Sequence, residues 1–252
     1  MASLLLCGQD QSSASSSSSS SDRDSQSRRP APPRRLTEAA KAAESEGEEF
    51  LFQKHDVKSA IDSFKKCTQL DAWYGHGYVM LGIAYIQAER WDEAQWAFEE
   101  AAKLEPENLQ AWLGIGSVMN EQQKYAAAQK AIQHGLDIAP NSAEAHYEMG
   151  RALFGLEKLP DAELEANRAI ALNNDYISSH VLLANIYVAA YDAEGALAEF
   201  HEALKIDPNG PQAAAIQENI AMLEKALKQA KQSSPSAATG KSGKSVRHTS
   251  PQ

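Results

Sequence analysis

Residues 75–108 read GHGYVMLGIAYIQAERWDEAQWAFEEAAKLEPEN. Tyr78, Leu81, Gly82 and Tyr85 stand at positions 4, 7, 8 and 11 of this stretch, one stripe of an α-helix. Ala94, Phe98 and Ala101, at positions 20, 24 and 27, form the matching stripe of a second helix. Pro106, at position 32, ends that second helix, because proline lacks the N–H that a helix interior uses. The stretch therefore predicts a helical hairpin.

The same pattern recurs every 34 residues in both directions. One step on lie Trp112, Ile115, Gly116, Met119, Ala128, Ile132, Gly135 and Pro140; a second step gives His146, Met149, Gly150, Leu153, Ala162, Ala166, Ala169 and Asn174. The third gives His180, Leu183, Ala184, Tyr187, Ala196, Phe200, Ala203 and Pro208, and one step back finds Ala60, Phe64 and Cys67. This register predicts five units without insertion, at 41–74, 75–108, 109–142, 143–176 and 177–210. Small residues at position 8 (Gly82, Gly116, Gly150, Ala184) let the two helices of a unit approach. A glycine inside a helix costs about 1 kcal/mol against alanine, so its recurrence marks a packing need. One hairpin cannot bury both of its stripes, so the units must stack, with a concave and a convex face. After Pro211, the stripe Ile216, Ile220, Leu223 and Leu227, backed by Gln217, Lys225 and Lys228, predicts a capping helix over 211–231.

The set from Tyr78 to Pro106 resembles the tetratricopeptide repeat, whose pattern is Trp/Leu/Gly/Tyr, then Ala/Phe/Ala, then Pro. The resemblance covers residues 41–210. It implies an all-α, right-handed α-solenoid that serves as a protein-binding scaffold, and it leaves the partner unnamed. Two departures stand out. The first unit has Gly47 and Glu48 where Leu and Gly belong, which predicts a loosely packed or late-starting first helix. The fourth has Asn174 in place of proline, which puts its exit turn in question.

In the family the first helix of each unit lines the concave groove. Carried onto this chain, the groove residues are Val79, Met80, Ile83 and Ile86, then Leu113 and Asn120. Tyr147, Glu148, Arg151 and Phe154 follow from the fourth unit, and Val181 and Asn185 from the fifth. Such a groove is apolar with an acidic margin and suits an extended or helical peptide with hydrophobic anchors and some basic residues. The competing reading buries several of these side chains between neighbouring units. Some family members clamp a chaperone's C-terminal carboxylate with Lys, Asn and Arg. Here those positions hold Ser45, Glu49, Met80, Gln110 and Gly114, so that ligand is not implied.

Composition separates the ends from the middle. Residues 1–36 hold a serine run and the basic, proline-rich stretch Arg28–Arg35, and residues 232–252 carry three basic residues and no acid. Both have too few apolar groups to offset the entropy of ordering and read as disordered tails. The body between them, 37–231, carries a formal charge of −15 against −10 for the whole chain. That argues against nucleic acid, whose backbone needs a basic surface, and for a basic or neutral protein partner. No stretch is long enough to span a membrane. Leu4-Leu5-Leu6-Cys7 resembles a lipoprotein cleavage site, against which stand the missing basic region, the short apolar core and the bulky Leu6. The expected address is cytoplasmic; the alternative is a periplasmic or lipid-anchored assembly factor that uses the same repeats. The alanine-rich repeats and Asn-Asp turns have a bacterial cast.

No catalytic constellation emerges, and no cofactor or metal is expected. His146 and His180 share position 4 of adjacent units, a packing position, with no third ligand at hand. Gly114-Ile115-Gly116 lacks the strand that a dinucleotide loop requires. Cys67 occupies a small-residue position and reads as a buried thiol. The expected function is a scaffold or adaptor. A place as accessory subunit of an enzyme complex is the weaker reading.

Overall fold

The computed structural model describes residues 37–233. The expected tails lie outside the described residues, apart from the last turn of the final helix, and so do Cys7 and the Arg28–Arg35 stretch. Within the described residues the chain is helical, with no strand.

Five hairpins follow one another. Helix α1 (Glu38–Glu48) runs into a π-helical turn (Glu49–Gln53) and pairs with α2 (Val57–Leu70). Then α3 (Gly75–Gln87) pairs with α4 (Trp91–Leu104), and α5 (Leu109–Glu121) with α6 (Tyr125–Ile138). Helix α7 (Ala143–Gly155) pairs with α8 (Leu159–Leu172), and α9 (Ile177–Ala189) with α10 (Ala193–Ile206). A final helix, α11 (Ala213–Ser233), covers α10 by burying Ala213, Ile216 and Ile220, while Gln217, Lys225 and Lys228 stay exposed. Each second helix also packs on the first helix of the next hairpin, so the units form an all-α solenoid.

The packing explains the spacing in the sequence. Phe64, Phe98, Ile132, Ala166 and Phe200 recur at intervals of 34 and are all buried. Each large one contributes about 2–3 kcal/mol by leaving water. A methyl group on Gly82 would meet the Phe98 ring at 2.7 Å, and one on Gly116 would overlap the Ile132 side chain. The small residue of the first helix and the large residue of the second are therefore one contact read at two places in the chain. In the fourth hairpin the large residue is replaced by Ala166. There the atom nearest a methyl group on Gly150 belongs to Leu182 of the next hairpin, at 3.0 Å.

The first hairpin departs from the expected register. Gly47, not Glu48, faces Phe64: its added methyl group would lie 2.6 Å from that ring. Gly47 is 35 residues before Gly82, whereas the buried Leu51 is 34 before Tyr85. The extra residue is absorbed by the π-helical turn, where the Lys54 N–H donates to the Glu49 carbonyl at 3.1 Å, five residues back. The first helix is thus neither loose nor late. It packs through Ala40, Ala43 and Gly47, all buried, after a one-residue insertion that a fixed 34-residue step does not register.

The exit turn of the fourth hairpin forms without proline. The Asn173 side chain accepts from the Asp175 N–H at 3.1 Å. Asp71 does the same for the Trp73 N–H in the first hairpin, which has Ala72 at the proline position. Within each hairpin the turn between helices passes through one left-handed residue. These are His55, Glu89, Gln123, Glu157 and Tyr191, with φ from 54° to 61°, again 34 apart.

Candidate partner-binding groove

Helix α3 touches α5, α5 touches α7 and α7 touches α9, while no comparable contact joins α4, α6, α8 and α10. The first helices therefore close up on the inner, concave side and the second helices splay outward. The closeness of the first helices decides which predicted groove residues remain reachable. Val79, Met80 and Leu113 do not: at 2%, 6% and 2% exposure they lie in the hydrophobic core. They are core residues rather than groove residues: Val79 and Met80 belong to one buried apolar cluster, and Leu113 packs against Gly135 of α6. Ile83 and Ile86 are half-buried and pack along the edge of that core.

The other predicted residues gather at the α5–α7–α9 junction. Asn120, Tyr147, Arg151, Phe154, Val181 and Asn185 line a cavity of about 380 Å³. Glu148 lies beneath it, buried, and organises its floor. The Asn120 amide donates through Nδ2 to the Glu148 carboxylate at 2.8 Å and to the Glu148 main-chain carbonyl at 3.1 Å. Arg151 donates to both Glu148 oxygens, at 3.2 and 3.1 Å, and to Glu121 at 2.6 Å. Burial pushes the Glu148 carboxyl up from its ordinary value, against the opposing pull of Arg151 and Asn120. Burial is the largest single influence and works against the Arg151 charge, yet Glu148, Tyr147 and Glu121 together outweigh it and hold the guanidinium more firmly protonated than usual.

An aromatic wall completes the site. Tyr147 and Tyr176 meet edge to face at 5.1 Å, and the Arg151 guanidinium sits 5.8 Å from the Tyr147 ring centre. Burial raises the pKa of both tyrosines, so they remain neutral donors. Tyr125 also lines the cavity, from second helix α6. A methyl group on Gly155 would overlap the Tyr125 ring, so Gly155 is what lets that ring in. Tyr125 stands on a second helix, outside the first-helix positions that the repeat pattern assigns to the groove. The pairing of Gly155 with an aromatic residue near the start of the preceding second helix was the available signal. Gln212, from the turn before α11, is a further contributor that the repeat pattern does not reach.

Two more features concern binding. On the outer side a cleft of about 1000 Å³ opens between α6 and α8, with Leu136, Met149, Leu153, Leu164 and Leu172 among its lining. His146 borders it and is structural: its Nε2 faces the Pro140 carbonyl at 2.9 Å and its Nδ1 the Glu165 carboxylate at 2.6 Å. His180 repeats this with Asn174 and Glu199 at 3.0 and 2.8 Å. In the third hairpin Trp112 Nε1 donates to the Pro106 carbonyl at 2.8 Å, so position 4 ties down the preceding exit turn. Near the start of the array, Glu44, Glu48 and His76 bring three potential ligand atoms within 4.8 Å of one another. The Tyr74 hydroxyl donates to Glu44 there at 2.8 Å. Cys67 is buried, and burial pushes its thiol up to about 11, which makes it a poor nucleophile.

The tetratricopeptide-repeat family matches residues 79–143 and 121–177, the stretch that contains α4 to α8 and most of α3. Those residues are tetratricopeptide repeats, and the helical array has the fold of that family. Protein bimA of Emericella nidulans is 29% identical to it over 97 residues, 38% of this chain and 12% of bimA. The chain spans well under half the length of the curated relatives it matches. Among solved structures, TTC0263, a tetratricopeptide-repeat protein of Thermus thermophilus, superposes with a TM-score of 0.65 at 16% identity. That match covers 74% of this chain and 99% of the other. YrrB superposes at 0.51 and 20% identity, over 73% and 100% of the two chains. These likenesses describe the tetratricopeptide-repeat fold. No helix among the described residues of this repeat protein is long and apolar enough to cross a membrane.

Proposed function

We propose that this repeat protein is a scaffold that holds another protein by an extended segment laid along the concave groove, anchored at the α5–α7–α9 cavity. One observation carries the reading. Side chains from three successive hairpins converge on a single cavity that combines aromatic walls with polar groups and opens on the concave side. Ile83 and Ile86, half-buried two hairpins earlier, supply an apolar continuation for the same segment. The acidic body favours a segment with basic residues. YrrB, which has the same fold, is described as having an unusual peptide-binding site. Binding rather than catalysis fits the side chains: among the described residues the one buried thiol is held protonated, and the two buried histidines are engaged at both ring nitrogens.

Site-specific photo-crosslinking separates the two faces. A benzophenone side chain placed at Phe154 or Asn185 should crosslink one extended segment of the partner, mapped by mass spectrometry. The same group at Leu164, in the outer cleft, should not. Crosslinks confined to Leu164 would move the binding face outward and overturn the proposal.

A further inference from the structure

The chemistry of the cavity narrows what it accepts, and the narrowing rests on the groove reading above. Asn120 is 4% exposed, and both contacts of its Nδ2 go to Glu148, which fixes the orientation of its amide. Its Oδ1 then has no hydrogen-bond partner, although Asn120 lines the cavity. A buried amide oxygen left without a donor costs about 1–3 kcal/mol, so the cavity is incomplete without a group that brings an N–H.

The surrounding charges identify that group. Glu121 and Glu148 meet a single cation, Arg151, which leaves one negative charge in excess. Glu121 uses Oε1 for Arg151, and its side chain is 42% exposed. A carboxylate or phosphate ligand brings no donor to Asn120, and Arg151, the cation of the lining, is already engaged by Glu148 and Glu121. A neutral amide satisfies Asn120 and leaves the excess charge unanswered. A guanidinium answers both: its fork carries one N–H for Asn120 Oδ1 and another for the Glu121 carboxylate, and Tyr125 and Phe154 of the lining offer rings to its flat face. A lysine ammonium supplies charge and donors without the planar face or the fork. We infer that the α5–α7–α9 cavity is a receptor for an arginine side chain of the bound segment.

The test uses the full chain and four pentapeptides, acetyl-Gly-Gly-Xaa-Gly-Gly-amide, with arginine, citrulline, lysine or glutamate at the centre. Binding is read from the side-chain amide signals of Asn120 by NMR titration. The arginine peptide should shift those signals. Citrulline, of the same shape without the charge, should bind about tenfold more weakly, the size of one charge-assisted contact. Lysine should fall between, and glutamate should give no shift. Glu121→Gln keeps an oxygen for Arg151 and should weaken the arginine peptide several-fold with an unchanged thermal melt. The titration is repeated with Arg23, Arg28, Arg29, Arg34, Arg35 and Arg247 changed to Gln, so that the arginines of the terminal segments cannot mask the site. Equal binding of arginine and citrulline, or no loss in Glu121→Gln, overturns the arginine inference and leaves the groove in place. No shift with any peptide overturns the inference as well, and the crosslinks at Phe154 and Asn185 then decide the groove reading separately.

Discussion

Five residues with left-handed backbone and no glycine among them make a stability prediction that depends on nothing outside the hairpin turns. His55, Glu89, Gln123, Glu157 and Tyr191 all have φ between 54° and 61°. In that region the Cβ of an L-residue crowds the following carbonyl, at a cost of about 1–2 kcal/mol, which glycine avoids. Glycine in turn gives up more freedom on folding, about 0.5–1 kcal/mol. The net gain is about 0.5–1 kcal/mol per site. Their side chains are exposed, Tyr191 to 97%, and make no hydrogen bond or ion pair, so nothing is lost on truncation. Each turn sits in its own hairpin, and distant sites in a repeat array add. Changing all five to glycine should therefore raise stability by about 3–4 kcal/mol. For a chain of this length that is about 10 °C in Tm.

Urea denaturation followed by helical circular dichroism reads the effect as a shift in midpoint at constant slope. The control is one residue away. Ala88 has φ −89°, an ordinary conformation, and its N–H closes the end of α3. Ala88→Gly should lower stability by about 1–1.5 kcal/mol, since glycine there brings its entropy and removes a methyl group packed on the core. Glu89→Ala should be nearly neutral, since alanine has the same Cβ. If the five-glycine protein is no more stable than the parent, or if Ala88→Gly stabilises to the same degree, the assignment of strain to these turns is wrong.

Other perturbations have equally direct readouts. Gly114→Ala drives a methyl group into the Phe98 ring, itself 2% exposed; it should cost about 1–3 kcal/mol in urea. Gly150→Ala meets a flexible Leu182 methyl at 3.0 Å and gains helix propensity, so it should lie within about 1 kcal/mol of the parent. Glu148 binds its proton more readily folded than unfolded, because burial raises its folded pKa above the ordinary 4.5. Its contribution to stability is therefore greatest at low pH and falls as pH rises through the unfolded and then the folded value. Glu148→Gln should remove that fall, so the stability difference, parent minus variant, should shrink as pH rises above about 4.5; a constant difference would contradict it. His146→Leu deprives the Pro140 carbonyl and Glu165 of their shared partner and should cost about 1–2 kcal/mol, measured by the same urea method.

The hairpins were legible because each diagnostic spacing corresponds to one physical contact. Gly82 and Phe98 stand 16 apart in sequence and touch in space, and the same holds for Gly116 and Ile132. A periodic search finds such pairs as long as the chain keeps its step. It fails at α1, where the π-helical turn inserts a residue after Gly47 and puts Glu48 under the expected glycine. The groove was legible only in part, for a different reason. Helix periodicity tells which side chains share a face, but each inner face is also where a first helix meets its neighbours. At positions 5 and 6, Val79, Met80, Leu113 and Glu148 are buried while Tyr147 and Val181 line the cavity, as do positions 9 and 12 of α7, Arg151 and Phe154. Which positions survive depends on how closely successive hairpins approach, and no single repeat encodes that distance. The same contact creates the chemistry. Asn120 belongs to one hairpin and Glu148 to the next, and their hydrogen bond turns the Asn120 oxygen away from Glu148 and leaves it unpaired in a residue that lines the cavity. A residue-by-residue reading could name both side chains as groove residues. The selectivity inferred for arginine arises between hairpins, from an amide whose donor side is already occupied.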